Sequence, residues 1–464
     1  MRDSMCQAAG DSCPPCRCRL WAILGGGLHW VRRFARCRDY GFMVLVGIVA
    51  VVLVAIDAVT LLGRPVPNDF LSFWYAGQAA AKSINIYDTL ALRKLARADG
   101  STGGILPYLY PPFLANILGL FAKTQLDSFY RVWVWILVGS TSLTGVLACT
   151  IHRPGRRRRA NVVPMMVTAI CVLVLPFTNN IAQGQVNLIV LACIILALVS
   201  YWLGYPLLAG ALLAPAVLLK WTPVVLVGFF LARRSYRAIV GFAAAALLLV
   251  IVSLAIGGVK PWLDFYAALP DFAHGKDIAR LLPCAVIYNF APAGYFLRIF
   301  ANERELVRWI SIALAVGVFV VSFATAFLAR NRREEHLALA LFFPMMIVLS
   351  PLTWLHHVVF LIPTAVILLT WAFAERRSSV LFGSIVVVLA ICSIDWPVHY
   401  GKLGQLFAKP SLQGINLFSI LLLFCIGVLA YWLARRTVTR LQDPDSSEPT
   451  KPVSQPQSAS DSSM

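Results

Sequence analysis

Long apolar stretches separated by short polar connections dominate the chain. A helix needs about 20 apolar residues to cross the ~30 Å hydrocarbon core of a bilayer, and most of these stretches approach or exceed that length. The pattern therefore predicts helical spans near 41–62, 128–150, 162–178, 186–203, 238–257, 306–329, 337–350, 358–374, 380–394 and 414–433.

Two further apolar stretches contain prolines and are predicted not to cross the membrane. The stretch 105–122 carries Tyr-Pro-Pro at 110–112, and we interpret it as an outer-face re-entrant or interfacial helix. The stretch 206–232 is interrupted at 220–223, which predicts a hairpin of two half-length helices. If some short helices are full spans, the total rises. The expected fold is an all-α polytopic membrane protein of about ten to twelve transmembrane helices.

Clusters of Arg predict which side of the membrane each connection occupies, because cytoplasmic connections are rich in Arg and Lys. With both termini in the cytoplasm, the large outer segments are 63–127 and 258–305. The predicted organisation is a Cys- and Arg-rich tail at 1–40, a membrane domain at 41–435 and a disordered cytoplasmic tail at 436–464. We expect a bacterial-type inner (plasma) membrane and no cleaved signal. The Arg clusters lie at 32–38, 156–159, 233–237, 330–333, 376–377 and 435–440.

Composition agrees with this class and removes one alternative. Of 464 residues, 59% are hydrophobic and 13% charged, with a mean hydropathy of +0.76, which excludes most soluble folds. The net charge of +19 would suggest a nucleic-acid partner in a soluble protein, but here it belongs mostly to cytoplasmic connections. Of eleven cysteines only Cys284 falls in an outer segment, so no disulfide framework is expected there. The C-x-x-C spacing at 13–16 leaves zinc as an alternative to a reduced tail.

Two ionisable residues stand out against this apolar background, because charges within spans are costly and mark functional sites. Lys220 is the only cation in the middle of an apolar run, and a lipid-linked phosphate is the anion most available to it. The alternative is a side chain that snorkels to the interface. Asp69 follows the first span, where its carboxylate can face an outer cavity. Its alternative role is a helix N-cap.

Amides and imidazoles lie at other predicted outer ends. Gln185 and Asn187 belong to an amide-dense connection that suits a polyhydroxylated ligand, with helix capping as the alternative. His356 and His357 can contact phosphate or sugar. Adjacent histidines point to different helix faces and no carboxylate neighbours them, so no metal is expected. These groups together suit an amphiphile that presents its polar head on the outer face.

The order of short motifs resembles glycosyltransferase family 87, the polyprenol-phosphate-mannose-dependent alpha-mannosyltransferases of the GT-C class. The resemblance covers about residues 41 to 435. The motifs are Asn-Asp-Phe at 68–70, Trp-Tyr at 74–75, Tyr-Asp at 87–88, Tyr-Pro-Pro at 110–112, Gly-Gln-Val-Asn at 184–187, and the segments 209–223, 262–265 and 350–357.

The resemblance implies an inverting, metal-independent and cofactor-free transfer. It would move a sugar, expected to be mannose, from a polyprenyl-phosphate donor to a cell-envelope lipid or glycan acceptor on the outer face. Asp69 matches the catalytic aspartate, and inversion needs one carboxylate to take the acceptor proton. Asn68 and Trp74 depart from the family pattern, which leaves the choice of sugar open. The substrate-binding residues that follow are Lys220, His356, His357, Gln185, Asn187, Tyr110 and Tyr87.

A transporter or flippase of a lipid-linked sugar is the alternative function. Transporters place paired polar groups at the midplane of inverted repeats. This sequence shows no convincing internal repeat, and its polar residues lie towards one side. A structural subunit of an envelope complex would leave the polar cluster unexplained.

Overall fold

The computed structural model describes residues 59–60, 63–101, 103–151, 174–272, 276–277, 283–374, 379–396 and 409–442. The predicted tail 1–40 with its C-x-x-C spacing lies outside the described residues. So do most of the spans predicted at 41–62 and 162–178, the Arg cluster 156–159 and the last part of the C-terminal tail.

The first half of the described chain consists of helices joined by short connections. They are α1 (Asn68–Ala81), α2 (Thr89–Ala98), α3 (Pro112–Gly119), α4 (Leu126–Ile151), α5 (Val174–Ala182), α6 (Asn187–Trp202), α7 (Pro206–Leu219) and α8 (Val225–Ala232). A short 3-10 helix, Thr222–Val224, separates α7 from α8.

The second half continues in the same way. Its helices are α9 (Tyr236–Gly257), α10 (Lys260–Ala268), α11 (Pro292–Ile299), α12 (Arg304–Leu328), α13 (Arg332–Val348), α14 (Ile362–Ala374), α15 (Ser379–Ser393) and α16 (Ile415–Gln442). A 3-10 helix, Leu355–Leu361, leads directly into α14, and others occupy Leu269–Phe272 and Pro410–Gly414.

The described residues contain helices and loops and no β-strand, which confirms the all-α prediction. The apolar runs predicted at 186–203, 238–257, 306–329, 337–350 and 380–394 each coincide with a helix to within about five residues, and 358–374 begins in a 3-10 helix. The run 414–433 lies within α16 from Ile415 onward, and α16 continues to Gln442 and so makes the first residues of the predicted disordered tail helical. By length and composition, four helical segments of the described chain are sufficient to cross a membrane: Tyr236–Gly257, Arg304–Leu328, Leu355–Phe373 and Pro410–Arg436. The total of ten to twelve spans stays a prediction.

Both proline-containing stretches have the predicted broken form. α3 has eight residues, about 12 Å of helix, which is too short to cross a bilayer. In 206–232 the helix stops at Leu219, and Lys220 adopts an extended backbone conformation before the chain turns into α8. The chain enters this hairpin beside the C-terminal end of α6 and places Lys220 beside Asn187, at the N-terminal end of α6.

The opposite end of α6 carries a cluster of charged residues, which we call the basic end. There Arg233 donates to the carbonyl oxygens of Ala326 (2.9 Å) and Ala329 (2.7 Å) and pairs with Glu335 at 3.3 Å. The hydroxyl of Tyr201, on α6, also donates to Glu335. The Arg clusters at 233–237 and 330–333 therefore meet at one end of the bundle.

Close approach between α7 and α9 positions the hairpin that carries Lys220. A Cβ atom added to Gly210 would lie 1.8 Å from the carbonyl oxygen of Ala238, and one added to Gly241 would lie 2.0 Å from that of Leu207. Small residues allow such backbone contact, which is a major source of helix association in membranes.

Gly210→Ala should therefore destabilise the protein, because the new methyl group cannot fit without moving α7 away from α9. Overpacking of this kind costs about 1–3 kcal/mol. Thermal unfolding in detergent measures the effect. Gly317→Ala is the matched control, since a Cβ there meets nothing within 4 Å. An unchanged midpoint for Gly210→Ala would contradict the close packing.

Candidate active site

Asp69 lies in the first turn of α1 and is buried, with 6% of its surface exposed. Helix α1 has no side-chain cap, so the alternative in which Asp69 is an N-cap is not observed. Asp88 has that role for α2, accepting from the backbone N–H groups of Leu90 and Ala91. The Asp69 carboxylate instead accepts a hydrogen bond of 2.5 Å from Nε2 of Gln185.

Gln185 reaches Asp69 because the preceding turn is tightly constrained. Gly184 has φ +64, a conformation that L side chains rarely adopt, and a Cβ there would lie 2.7 Å from Cβ of Phe70. The carbonyl oxygen of Gly184 accepts a 2.8 Å bond from the indole N–H of Trp133. Glycine is thus required at this position, and packing from α1 and α4 holds the turn.

Two tyrosines extend this hydrogen-bonded chain. The Tyr110 hydroxyl donates to Oε1 of Gln185 at 2.9 Å, which fixes the amide so that its N–H groups face Asp69. The Tyr87 hydroxyl donates to the backbone carbonyl of Tyr110 at 2.8 Å. Tyr87 lines neither of the two cavities described below, and its hydroxyl supports the backbone of Tyr110, which lines the first.

Lys220 is buried, with 5% of its surface exposed, so the snorkelling alternative is not observed. Its Nζ atom donates to Oδ1 of Asn187 at 2.7 Å and lies 2.5 Å from Nε2 of His357. It also lies 5.5 Å from the centre of the Tyr110 ring, within cation–π range. No carboxylate of the described chain forms an ion pair with Lys220.

Asn187 is oriented by buried neighbours. Its Nδ2 donates to Oδ1 of Asn180 at 3.0 Å, and the Nδ2 of Asn180 donates to the carbonyl oxygen of His356 at 2.7 Å. The amide oxygen of Asn187 is therefore directed at Lys220. The amide-dense connection predicted from sequence forms a buried network, and no side-chain cap precedes α6.

The contact between His357 and Lys220 leaves both residues able to donate to a further group. Nδ1 of His357 accepts from the backbone N–H of Trp354 at 2.8 Å, so a neutral ring carries its proton on Nε2, the nitrogen nearest Lys220. Two N–H donors that face each other need an acceptor. An anion that enters between them supplies one and also compensates the charge of Lys220.

Two cavities meet at Asp69. The first has about 780 Å³ of empty volume, its open mouth included, and the second about 710 Å³. Leu106, Trp354 and His356 line both, as Asp69 does. Residues that line only the first include Lys220, His357, Gln185, Tyr110, Trp221 and Thr222.

Burial controls the protonation of Asp69. Removal from water raises the pKa of its carboxyl from 3.8 to about 6, while the hydrogen bond from Gln185 and the positive charge of Lys220 act in the opposite direction. Near neutral pH the carboxylate form predominates, and it is more basic than an exposed aspartate. This is the property that a general base requires.

The structure thus brings together all eight residues selected from the sequence: six line the first cavity, Asn187 lies behind Lys220 and Tyr87 lies behind Tyr110. Sequence reasoning missed Asn289, which lies in the long outer segment without a neighbouring motif. Its Oδ1 accepts from the backbone N–H of Thr353 at 3.0 Å and so holds the loop before His356. Among the described residues no three His, Cys, Asp or Glu side chains are grouped as metal ligands would be, and metal independence stays a prediction.

Comparison with known proteins identifies the class to which this fold and site belong. Residues 108–351, over half of the chain, match the model of glycosyltransferase family 87. The chain belongs to this family, and it is a glycosyltransferase of the polytopic membrane type.

Named relatives are similar over most of their length. A polyprenol-phosphate-mannose-dependent alpha-(1-2)-phosphatidylinositol mannoside mannosyltransferase of Mycobacterium tuberculosis is 28% identical over 305 residues, 62% of this chain and 69% of the relative. The protein of that name from Mycolicibacterium smegmatis is 28% identical over 322 residues, 65% of this chain and 71% of the relative. A pentamannoside mannosyltransferase with the same donor dependence, from Mycobacterium tuberculosis, is 26% identical over 324 residues, 69% of this chain and 70% of the relative.

Gln185→Met should raise the pKa of Asp69 above about 6, because it removes a hydrogen bond that stabilises the charged form. The protonated-carboxyl band in infrared difference spectra against Asp69→Asn measures this pKa across pH 4 to 9. Gln78→Met is the control, since Gln78 donates to Ala122 and lines neither cavity. A midpoint that stays constant or falls in Gln185→Met would show that the bond does not control the carboxylate.

Proposed function

We propose that the protein transfers a mannosyl group, with inversion, from a polyprenyl-phosphate donor to a hydroxyl of a lipid or glycan acceptor on the outer face of the membrane. One observation carries the proposal: a buried carboxylate with raised pKa and a buried lysine–histidine pair line the same cavity. The named relatives, which use polyprenol-phosphate-mannose, supply the identity of the donor.

The donor phosphate binds between Lys220 and His357. Nζ of Lys220 and Nε2 of His357 are 2.5 Å apart in the donor-free protein, so this contact opens to admit a phosphate oxygen, and Asn187 holds Lys220 in place. A phosphate diester in this position neutralises a buried cation that has no carboxylate partner in the described chain. The same contacts stabilise the negative charge that develops on the phosphate as it leaves. His356 lines both cavities and lies beside this phosphate.

Asp69 is the base. The acceptor oxygen attacks the anomeric carbon, and a new carbon–oxygen bond forms as the bond between that carbon and the phosphate oxygen breaks. The polyprenyl phosphate leaves with the electron pair, and the acceptor proton passes to Asp69. Gln185 and Tyr110 hold the carboxylate in position and do not themselves take the proton.

The two ends of the bundle support the proposed outer-face location. α6 runs from Asn187, beside Lys220, to Tyr201, beside the Arg233–Glu335 pair. Its 16 residues correspond to about 24 Å of helix, most of the thickness of a hydrocarbon core. Because Arg-rich connections favour the cytoplasm, the basic end lies inside and Asp69 lies at the outer surface.

The acceptor is a sugar-bearing membrane lipid or an envelope glycan. The relatives named above are phosphatidylinositol mannoside mannosyltransferases, which act on glycolipids. An outer-face site that borders the membrane gives access to such a headgroup from the bilayer.

Asp69→Asn should lower mannosyl transfer by about 100- to 10,000-fold, because an amide cannot take the acceptor proton. Transfer of radiolabelled mannose from polyprenyl-phosphate mannose to membrane acceptors, with purified protein, measures this. Asp88→Asn is the matched control, since Asp88 caps α2 at the surface and Asn caps equally well. Transfer by Asp69→Asn at the wild-type rate would exclude Asp69 as the base.

The transporter alternative is tested with the same donor in proteoliposomes. Movement of intact donor between leaflets without glycosylated product would replace the proposed function with a flippase. Lys220 and Asp69 line one cavity, where they can act on the donor phosphate and the acceptor hydroxyl together. This arrangement favours transfer over transport.

A further inference from the structure

The second cavity differs in chemistry from the first, although the two meet at Asp69. Its described lining contains no Lys or Arg. Instead it presents the amides of Asn68, Asn179 and Gln183, the phenol of Tyr288 and the carboxylate of Asp395. With Asp69 and Asp395 on its wall, this cavity disfavours a phosphate. It favours a neutral ligand with many hydroxyl groups.

The amides that line the second cavity differ in their hydrogen bonds from the buried amides near Asp69 and Lys220. The side chains of Gln185, Asn187 and Asn180 are engaged in bonds within the protein. In contrast, the side chains of Asn179 and Gln183 form no hydrogen bond with any described residue, although both border the cavity and are half-buried. Each amide offers two donors and one acceptor to a ligand.

Asn179 and Gln183 also share one face. The backbone N–H of Gln183 donates to the carbonyl oxygen of Asn179 at 2.9 Å, so the two residues are one helical turn apart at the end of α5. Phe290 and the half-exposed ring of Tyr288 provide apolar surface in the same cavity. A sugar ring has this combination of a hydroxyl rim and C–H faces.

We propose that the second cavity binds a sugar of the acceptor, and that Asn179 and Gln183 select the hydroxyl presented to Asp69. The role of this site rests on the proposed transfer, whereas its location rests on the cavity alone. The donor then occupies the cavity of Lys220, and Asp69 lies between the two substrates. Asn179 and Gln183 are specificity residues that touch the acceptor and leave the donor unaffected.

The test compares Asn179→Ala and Gln183→Met with wild type, using octyl α-mannoside as the acceptor probe. Binding of the probe to donor-free protein is measured by calorimetry, and transfer is measured with polyprenyl-phosphate mannose. Each variant should raise the Kd and KM for the probe about three- to tenfold, because one or two neutral hydrogen bonds are lost. The KM for the donor should not change.

Gln125→Ala is the matched control, since Gln125 is an exposed amide that lines neither cavity. An unchanged thermal unfolding midpoint shows that each variant folds. The acceptor site would be overturned if the Kd for the probe and the acceptor KM were unchanged in both variants, or if the wild-type protein did not bind the probe. Transfer to membrane acceptors would still support the proposed function in either case. If the variants bind the probe more weakly than wild type, but neither wild type nor any variant transfers mannose, the sugar-binding site is supported and the proposed transfer is rejected.

Discussion

The site depends on one electrostatic constraint, which is a lysine ammonium buried at the tip of a broken hairpin without a carboxylate partner among the described residues. Burial of a charge is costly unless an opposite charge or strong hydrogen bonds compensate it. Asn187 supplies a partial compensation, and His357 supplies a second nitrogen at 2.5 Å. In the proposed function a donor phosphate completes the set, and its binding relieves a cost that the fold itself imposes.

The surrounding structure holds this cation in place. Gly210 and Gly241 let α7 and α9 approach closely, which positions the hairpin and its tip. Trp133 and Phe70 hold the turn at Gly184, which directs Gln185 at Asp69. Side chains from helices distant in sequence therefore converge on Asp69 and Lys220, which line one cavity. Such preorganisation is the main contribution that a protein makes to the stabilisation of a leaving phosphate.

Much of this architecture could be predicted from the sequence, for physical reasons. Apolar runs of membrane length predicted the helices. The break at 220–223 predicted the hairpin, because a cation is costly in the middle of an apolar helix and the proline that follows it removes a backbone donor. The role of Asp69 was ambiguous, since an N-cap and a buried base share the same local sequence. Only the three-dimensional contact with Gln185 separates the two.

Other features lie beyond local sequence. Asn289 supports the loop before His356 through a contact with Thr353, 64 positions away, and its own sequence surroundings carry no motif. Tyr87 was selected as a substrate contact, whereas its hydroxyl holds the backbone of Tyr110. The second cavity is formed by connections far apart in the chain, with Asn68, Asn179, Tyr288 and Asp395 on its wall. Tertiary packing alone brings them together.

The most direct test is a structure of the wild-type protein in a lipid nanodisc with polyprenyl-phosphate mannose and no acceptor. We expect the phosphate between Lys220 and His357, with its oxygens about 3 Å from Nζ and Nε2. The anomeric carbon should face Asp69 across the junction of the two cavities. A phosphate bound elsewhere, with the contact between Lys220 and His357 still closed, would show that this pair is not the donor phosphate site.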